Sequence, residues 1–445
     1  MEYIAWSVDY SNIWESLYYM MMAAKEKIYM SFYQLDWTQE VKPGMTFLRL
    51  LKYVCGRKVN VYVLLSDQSI GVCPIPEFLP SNCKIHVVSK SGPRLQDESA
   101  LWKAVQPIAS PLLSVLPALL GKELGFGMEG EEQMAPFYHH QQYVTVDDQL
   151  AIIGSLELNN YVHEKPGHTT NGESIHAIAC VVRPSPLFLA YVEDNYQTHG
   201  HGKPSPISTI SDSADTSEET KRLGFVGSFA GEANELETMY RLIREAKQSL
   251  YIETRYLISH EDTENQIVEC LAERLIRAHK NKEAFTMIIL VNKQYFVANL
   301  DSYLSAELAL TGVRLMALVE AAGIDPGDLK PRFFLGSLSD ISLTTTCIIQ
   351  DTRECLISSS PLYDRSLCQQ CTELGVLITN PTAVASLRKQ LWEEHFGCAD
   401  ESNMLEQCYK ETGKVERYKR PAENVTKMIH YGRKFLGYTL GRLAI

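Results

Sequence analysis

"FYHHQQYVTVDDQLAIIGSLEL", residues 137–158, sets His140, Asp147, Gly154 and Ser155 at intervals that suit phosphoryl chemistry. Splitting a phosphodiester through a covalent intermediate needs a nucleophile, an acid for the leaving alcohol, and positive charge around the phosphoryl oxygens. A pattern H-x-K-x₄-D-x₆-G-S provides nucleophile and charge together, because residues two apart on a strand share a face. Two such copies facing each other divide the work between two histidines and two lysines, and no metal or other cofactor is required. Here Gln142 occupies the lysine position. Taking His139 as the anchor instead puts Val146 where the aspartate belongs, so His140 sets the register.

A chemistry that needs two copies invites a search for the second, and the chain contains an internal repeat. "LYYMMMAAKEKIYM" (17–30) aligns with "MYRLIREAKQSLYI" (239–252) at a constant offset, matching Tyr18 with Tyr240, Ala24 with Ala246, Lys25 with Lys247 and Tyr29 with Tyr251. "YVTVDDQLAIIGS" (143–155) aligns with "CIIQDTRECLISS" (347–359), matching Asp147 with Asp351 and Ser155 with Ser359. The copies close alike, in "ACVVRPSPLFLAYVEDNY" (179–196) and "GVLITNPTAVASLRKQLWEEHF" (375–396), each a strand, a Pro-containing turn and a helix. Three blocks in the same order predict two homologous lobes.

Within the lobes, "NIWESLYYMMMAAKEK" reads as an amphipathic helix and "IYMSFYQL" as the buried strand after it. "VNVYVLLSD" (59–67) and "CKIHVVSK" (83–90) are further short strands. The alternation predicts an α/β layer architecture. Residues 1–196 form the expected first lobe and 223–408 the second, with a basic tail over 409–445. Between the lobes, "QTHGHGKPSPISTISDSADTSEETKR" (197–222) is too poor in large apolar residues to order itself and reads as a disordered linker.

The first lobe carries an apolar insertion at 100–124. From Ala104 to Gly121 it has no charge, but three prolines, two serines and a glutamine disfavour a regular membrane span. It either packs on the body or on a partner, or dips into a lipid interface.

Net charge over the 445 residues is −12, which argues against non-specific nucleic-acid binding. From Lys410 onward nine Lys/Arg face three Asp/Glu, a net of +6, so the remainder carries −18. Such a tail docks on the protein's own acidic surface or meets an anionic partner such as a lipid headgroup. The 11 cysteines show no framework spacing, and "MEYIAWSVDY" has no secretory or transit character, which points to the cytosol. Cys368 and Cys371 form a lone C-x-x-C without the second pair or thioredoxin-like context that a metal or redox role would need.

These residues resemble the phospholipase D superfamily, and within it the eukaryotic phosphatidylcholine-cleaving type. "HHQQYVTVDDQLAIIGSLEL" is similar to the first catalytic motif, including the doubled histidine and the acidic Glu157. "SLYIETRYLIS" (249–259) resembles the strand that opens the second lobe. Asp364, Arg365 and Ser366 fit the tripeptide after the second motif, and "TELGVLITNPTAVASLRKQLWEEHFG" (372–397) resembles the closing stretch. The resemblance implies two α-β-α sandwich lobes packed about a pseudo-two-fold axis, with His140 as nucleophile and Asp147 and Asp351 completing the motifs. Ser155, Ser359, Gln142, Thr344 and Thr346 would line the substrate site.

The departures decide the functional expectation. Counting back from Asp351, Thr344 stands in place of the second histidine and Thr346 in place of the second lysine; Ser358 replaces the glycine and Pro361 the asparagine. Losing a positioned general acid costs about 10²–10⁴ in rate, and losing one preorganised donor about 10²–10³. One acid and two cations are gone, and a threonine hydroxyl does not ionise near neutrality. The sequence therefore predicts a degenerate phospholipase D that binds or scaffolds, with a protein partner or a membrane surface as its contact. The alternative is an active enzyme cleaving phosphatidylcholine through a phosphohistidine at His140, rescued by His139, His168 or His176. A nuclease-like or tyrosyl-DNA phosphodiesterase-like role fits less well, because that latter group lacks the motif aspartates and the body here is acidic.

Overall fold

The computed structural model describes residues 4–66, 74–88, 138–157, 174–199, 223–228, 234–259, 263, 265–292, 301–338, 341–367, 371–397, 405, 408 and 415–417. Two large sheets dominate it. In the first, the strands run in the order Ile4–Val8, Ile178–Val182, Leu150–Gly154, Tyr143–Val146, Lys27–Phe32, Asn60–Ser66, Cys83–Val88. In the second they run Leu223–Ser228, Cys371–Ile378, Glu354–Ser358, Thr346–Gln350, Ser249–Thr254, Thr286–Val291, Phe333–Leu338. The second order repeats the first, strand for strand. Val415–Arg417 adds an antiparallel edge to the second sheet, so this part of the basic stretch pairs with the protein's own body.

Both sheets are mixed. Lys27–Phe32 pairs parallel with Asn60–Ser66 and antiparallel with Tyr143–Val146, and Ser249–Thr254 does the same between Thr286–Val291 and Thr346–Gln350. The parallel pairs need crossovers, and helices provide them: Phe47–Gly56 in the first lobe, Ile267–Lys280 in the second.

Alternation along the strands sorts the apolar side chains into three cores. One lies between the first sheet and the helices Tyr10–Ala23 and Phe47–Gly56, with Ile28, Met30, Val61 and Val63 facing Leu17, Met21 and Leu50. Its counterpart in the second lobe sets Leu250, Ile252, Met287 and Ile289 against Leu242, Leu271 and Leu275. The third is shared. Tyr29, Tyr143 and Ile153 of one sheet join Tyr251, Ile349 and Ile357 of the other around Phe188 and Tyr191 of Pro186–His199 and Leu387 and Trp392 of Pro381–Phe396. The closing helices of the repeat thus form the middle layer, and each lobe is an α-β-α sandwich.

The lobes also exchange backbone. Tyr138–His139 pairs parallel with Cys371–Thr372, and Ser174–His176 pairs parallel with Ile341–Leu343. Each motif is preceded by a short strand bonded to the opposite lobe, the arrangement expected of a pseudo-two-fold.

The helix Pro186–His199 runs three residues into the segment read as linker, while residues 200–222, the insertion 100–124 and most of the tail lie outside the described residues. Among the described residues no helix is long and apolar enough to cross a membrane.

Candidate functional site

Each motif enters the site through a short strand end and is anchored at its far end by the aspartate. Asp147 and Asp351 both adopt positive φ, 50° and 55°, at the turn between the two motif strands. There the Asp147 carboxylate accepts the backbone N–H groups of Lys25, Glu26 and Lys27 at 2.7, 2.8 and 2.9 Å. Asp351 accepts those of Lys247, Gln248 and Ser249, with closest contacts of 3.1, 2.7 and 3.0 Å. Both aspartates therefore pin the start of the central strand at the end remote from the histidine. The structure thus gives both aspartates a positioning contact.

At the other end the first half-site is built around His140. Its backbone N–H bonds Thr372 O at 3.0 Å across the lobe boundary. Its Nδ1 lies 2.7 Å from Glu373 Oε2, and the same oxygen accepts the Ser359 hydroxyl at 2.6 Å. With Nδ1 committed to Glu373, Nε2 is the nitrogen left for a ligand. The ring packs edge-on against Tyr33, with centroids 4.5 Å apart. Burial favours the neutral imidazole, but the Glu373 charge and hydrogen bond, helped by Glu157, outweigh it and lift the His140 pKa above its ordinary value; Arg255 opposes them.

The second half-site has the same frame and different chemistry. Thr344 N–H bonds His176 O at 3.1 Å, the counterpart of the His140–Thr372 bond. The Ser155 hydroxyl donates to Thr344 Oγ1 at 2.9 Å, and the Tyr10 hydroxyl lies 2.8 Å from Ser155 Oγ and 3.2 Å from Thr344 Oγ1. The place of a carboxylate-held imidazole is thus taken by three neutral hydroxyls. Burial, then the Glu157 charge, pushes the Tyr10 hydroxyl far up, so it stays protonated. The acid has gone with the base. Gly154 pairs Ala179 as Ser358 pairs Gly375, so the counterpart of Glu373 is Ala177.

The lysine positions are also spent on structure. Gln142 is buried and its Oε1 accepts the Leu156 N–H, while Thr346 Oγ1 lies 3.0 Å from Thr254 Oγ1. Gly154 keeps φ 141° because a Cβ there would come 2.4 Å from Ile178 O. Its replacement, Ser358, instead uses its hydroxyl, donating to Glu235 and accepting the Ser360 N–H.

A cation missing from the motifs is found elsewhere. Arg255 follows the central strand of the second lobe and pairs with Glu157 of the first, Nη1 to Oε1 3.5 Å, with its side chain 27% exposed. Glu157, Tyr33, Tyr10 and His140 all sit in its electrostatic field. By the repeat it occupies the position of Tyr33. The residues missed by the motif reading are therefore Glu373, Arg255, Tyr33 and Tyr10. The one signal for Arg255 was a charge in the second copy where the first has an aromatic.

Neither histidine considered as a rescue is placed to act, and His168 lies outside the described residues. His139 Nε2 is 2.7 Å from Ser31 Oγ and its Nδ1 3.1 Å from Thr372 Oγ1. His176 is fully buried, its Nδ1 2.9 Å from Asp9 Oδ1 and its Nε2 3.2 Å from Glu253 Oε2. His395 Nε2 lies 2.9 Å from Glu253 Oε1. The ligand atoms of His176, Glu253 and His395 fall within 4.8 Å of one another, close enough to surround a metal ion. A proton on His176 already offsets part of the carboxylate charge there, however. Two carboxylates flank His176 and carry its pKa well above the ordinary value despite burial, whereas burial keeps His395 neutral. Glu253 is held below the carboxylate range by His176 and His395, against its burial. Asp9 and His176 come from one lobe and Glu253 and His395 from the other, so this network fastens the lobe seam.

With this geometry in place, the comparisons with known proteins can be read. No protein-family model matches the chain. Phospholipase D zeta 1 of Arabidopsis thaliana is 28% identical over 207 residues, covering 36% of this chain and 19% of that protein. The chain therefore spans about a fifth of the length of that curated relative. The solved structure of a phosphatidylserine synthase from Haemophilus influenzae covers 98% of this chain and 94% of its own, with a TM-score of 0.54 at 13% identity. The chain is thus similar in part of its sequence to a phospholipase D, and its two-lobed fold is similar to that of the phosphatidylserine synthase structure.

Proposed function

We propose that this phospholipase D-like chain holds a phosphate-bearing ligand, most simply a phospholipid headgroup, and does not turn it over efficiently. One observation carries the reading. His140 is held by Glu373 and Ser359, while the opposing position holds Thr344, Ser155 and Tyr10. His140 Nε2 could approach phosphorus, but the departing alkoxide would find only neutral hydroxyls of high pKa opposite it. Binding asks less. Arg255 and a protonated His140 offer charge-assisted donors from two sides of the cleft.

Phosphatidylcholine vesicles with the purified full chain provide the test. The expected outcome is no choline release above background, together with binding of a soluble headgroup probe, glycerophosphocholine, about tenfold weaker in Arg255→Gln. Choline release that disappears in His140→Ala overturns the reading. The carboxylate-held His140 favours that second outcome, an active phospholipase D working through a phosphohistidine at His140. In either case residues 104–121 and the tail 410–445 are proposed as contacts to a membrane surface or a protein partner, with co-sedimentation on anionic vesicles as the check.

A further inference from the structure

One cluster of ligating side chains takes no part in the cleft chemistry. His176 and Asp9 reach it from the first lobe, Glu253 and His395 from the second, and all four are at most 1% exposed. The Glu253 carboxylate spans the gap, its Oε2 3.2 Å from His176 Nε2 and its Oε1 2.9 Å from His395 Nε2. Tetrahedral zinc sites with bonds of about 2.0–2.1 Å set their ligand atoms roughly 3.3 Å apart. The two imidazole rings stand 4.7 Å apart at 78°, so both present a nitrogen to the carboxylate without stacking.

The groups behind these ligands hold them as a metal requires. Asp9 Oδ1 accepts from His176 Nδ1 at 2.9 Å, which turns Nε2 towards Glu253. Metal-bound histidines commonly donate their other nitrogen to a carboxylate in this way. The Tyr251 hydroxyl donates to Glu253 Oε1. Asp9 gives up a local role to reach His176. It stands at the N-cap of the helix Tyr10–Ala23, where an aspartate usually accepts an amide of the first turn, yet its side chain makes no such bond. Its φ is 63°, a region that residues other than glycine rarely enter.

The pseudo-two-fold shows what the fold itself needs at such a place. By the strand registers Ser31 is the counterpart of Glu253, and Thr372 that of His176. There a single histidine, His139, bridges two hydroxyls, Ser31 Oγ at 2.7 Å and Thr372 Oγ1 at 3.1 Å. No carboxylate enters that trio. Packing therefore does not account for Asp9 and Glu253, two buried carboxylates whose charge one divalent cation between neutral imidazoles would balance.

We propose that His176 Nε2, Glu253 and His395 Nε2 bind one zinc ion that ties the two lobes together. Two imidazoles and a carboxylate are an established zinc donor set, and the ion takes the place of the proton on His176. Glu394, half-buried and grouped with Asp9 and His176, marks the side on which the cluster nears the surface.

The zinc content of the full chain tests the site. After loading with zinc and dialysis, one equivalent should remain by elemental mass spectrometry. Stripping it with a chelator in mild urea should lower the urea unfolding midpoint, and added zinc should restore it. His395→Gln should weaken zinc binding at least about a hundredfold, and Asp9→Asn, which acts through His176, about ten- to a hundredfold. His140→Ala should keep the ion, as should the double variant Cys368→Ser, Cys371→Ser. If His395→Gln does not fold, cobalt in the parent chain decides. The strong visible band of four-coordinate cobalt without thiolate charge transfer supports the site, whereas a six-coordinate or sulfur-ligated spectrum overturns it. A parent chain that retains no zinc, a cysteine variant that loses it, or a folded His395→Gln that keeps it also overturns the proposal.

Discussion

The two half-sites hang from one backbone frame. His140 and Thr344 make the same main-chain bond to the opposite lobe, at 3.0 and 3.1 Å, and Ser155 and Ser359 occupy matching turns. What differs is a matched pair of residues. Where the first half-site has a histidine and the acid that orients it, the second has a threonine and an alanine, Thr344 and Ala177. A lone histidine at 344 would be buried without its carboxylate, and a lone glutamate at 177 would be a buried charge without a partner, which is costly. Together the two replacements leave no such orphan, and the Tyr10–Ser155–Thr344 hydroxyls fill the space with satisfied hydrogen bonds. The second half-site is packed as core.

The largest effect is expected from giving the second half-site the residues of the first. Thr344→His with Ala177→Glu, combined with Gln142→Lys and Thr346→Lys, should raise choline release from phosphatidylcholine vesicles by about 10²–10⁴ over the parent chain. Thr344→His alone should give no gain, since nothing orients the new imidazole. A folded quadruple variant with no gain would show that the half-sites differ in more than these four side chains.

Next in size is stability. Asp351 and Asp147 anchor equivalent strands, but Asp351 is buried and Asp147 partly exposed. Removing a carboxylate that accepts three N–H groups leaves donors unmet, so Asp351→Ala should cost about 3 kcal/mol in urea unfolding. Asp147→Ala should cost less, because water replaces part of the loss. Equal costs would break the proposed difference between the lobes.

The histidine half-site should also reveal itself by pH. The folded pKa of His140 is raised, because Glu373 outweighs burial. The stabilisation from their pairing is therefore fully present below the unfolded histidine value, about 6.5, and is lost as pH rises through the higher folded value. Phosphate-ester affinity in the cleft should fall over the same interval. Glu373→Gln should move the His140 ring resonance titration downward in NMR; a titration that stays in place would remove Glu373 from the account.

The sequence carried the fold in the repeat. Three aligned blocks were enough to point to two lobes of like architecture, because strand and helix periods survive where side-chain chemistry does not. It carried the site only as far as each motif reaches along the chain. Glu373 meets His140 across 233 residues, and Arg255 meets Glu157 across 98. Such pairs are set by how the lobes dock, which no local spacing records. Aligning the copies beyond the motifs exposes part of it, since Glu373 faces Ala177 and Arg255 faces Tyr33. The aspartates were found by their spacing, but their bonds to the strand amides were not legible, because sequence cannot say which way a turn carboxylate points.

The smallest predicted effect separates structure from binding within the second half-site. Thr344→Val keeps the shape of the side chain and removes its hydroxyl from the cluster with Ser155 and Tyr10. Both neighbours can still bond each other at 2.8 Å, so the cost should be about 1 kcal/mol by thermal unfolding. Affinity for a phosphate ester should not change. Ser359→Ala, the equivalent deletion in the histidine half, takes a donor from the Glu373 oxygen that holds His140. The Glu373 Oε1 atom is buried with no partner among the described residues, so the carboxylate would then lean on the imidazole alone. Ser359→Ala should therefore change ligand affinity and raise the His140 pKa further, while Thr344→Val moves neither. If Thr344→Val weakens ligand binding as much as Ser359→Ala does, both halves still serve the ligand and the asymmetry is only chemical, not functional.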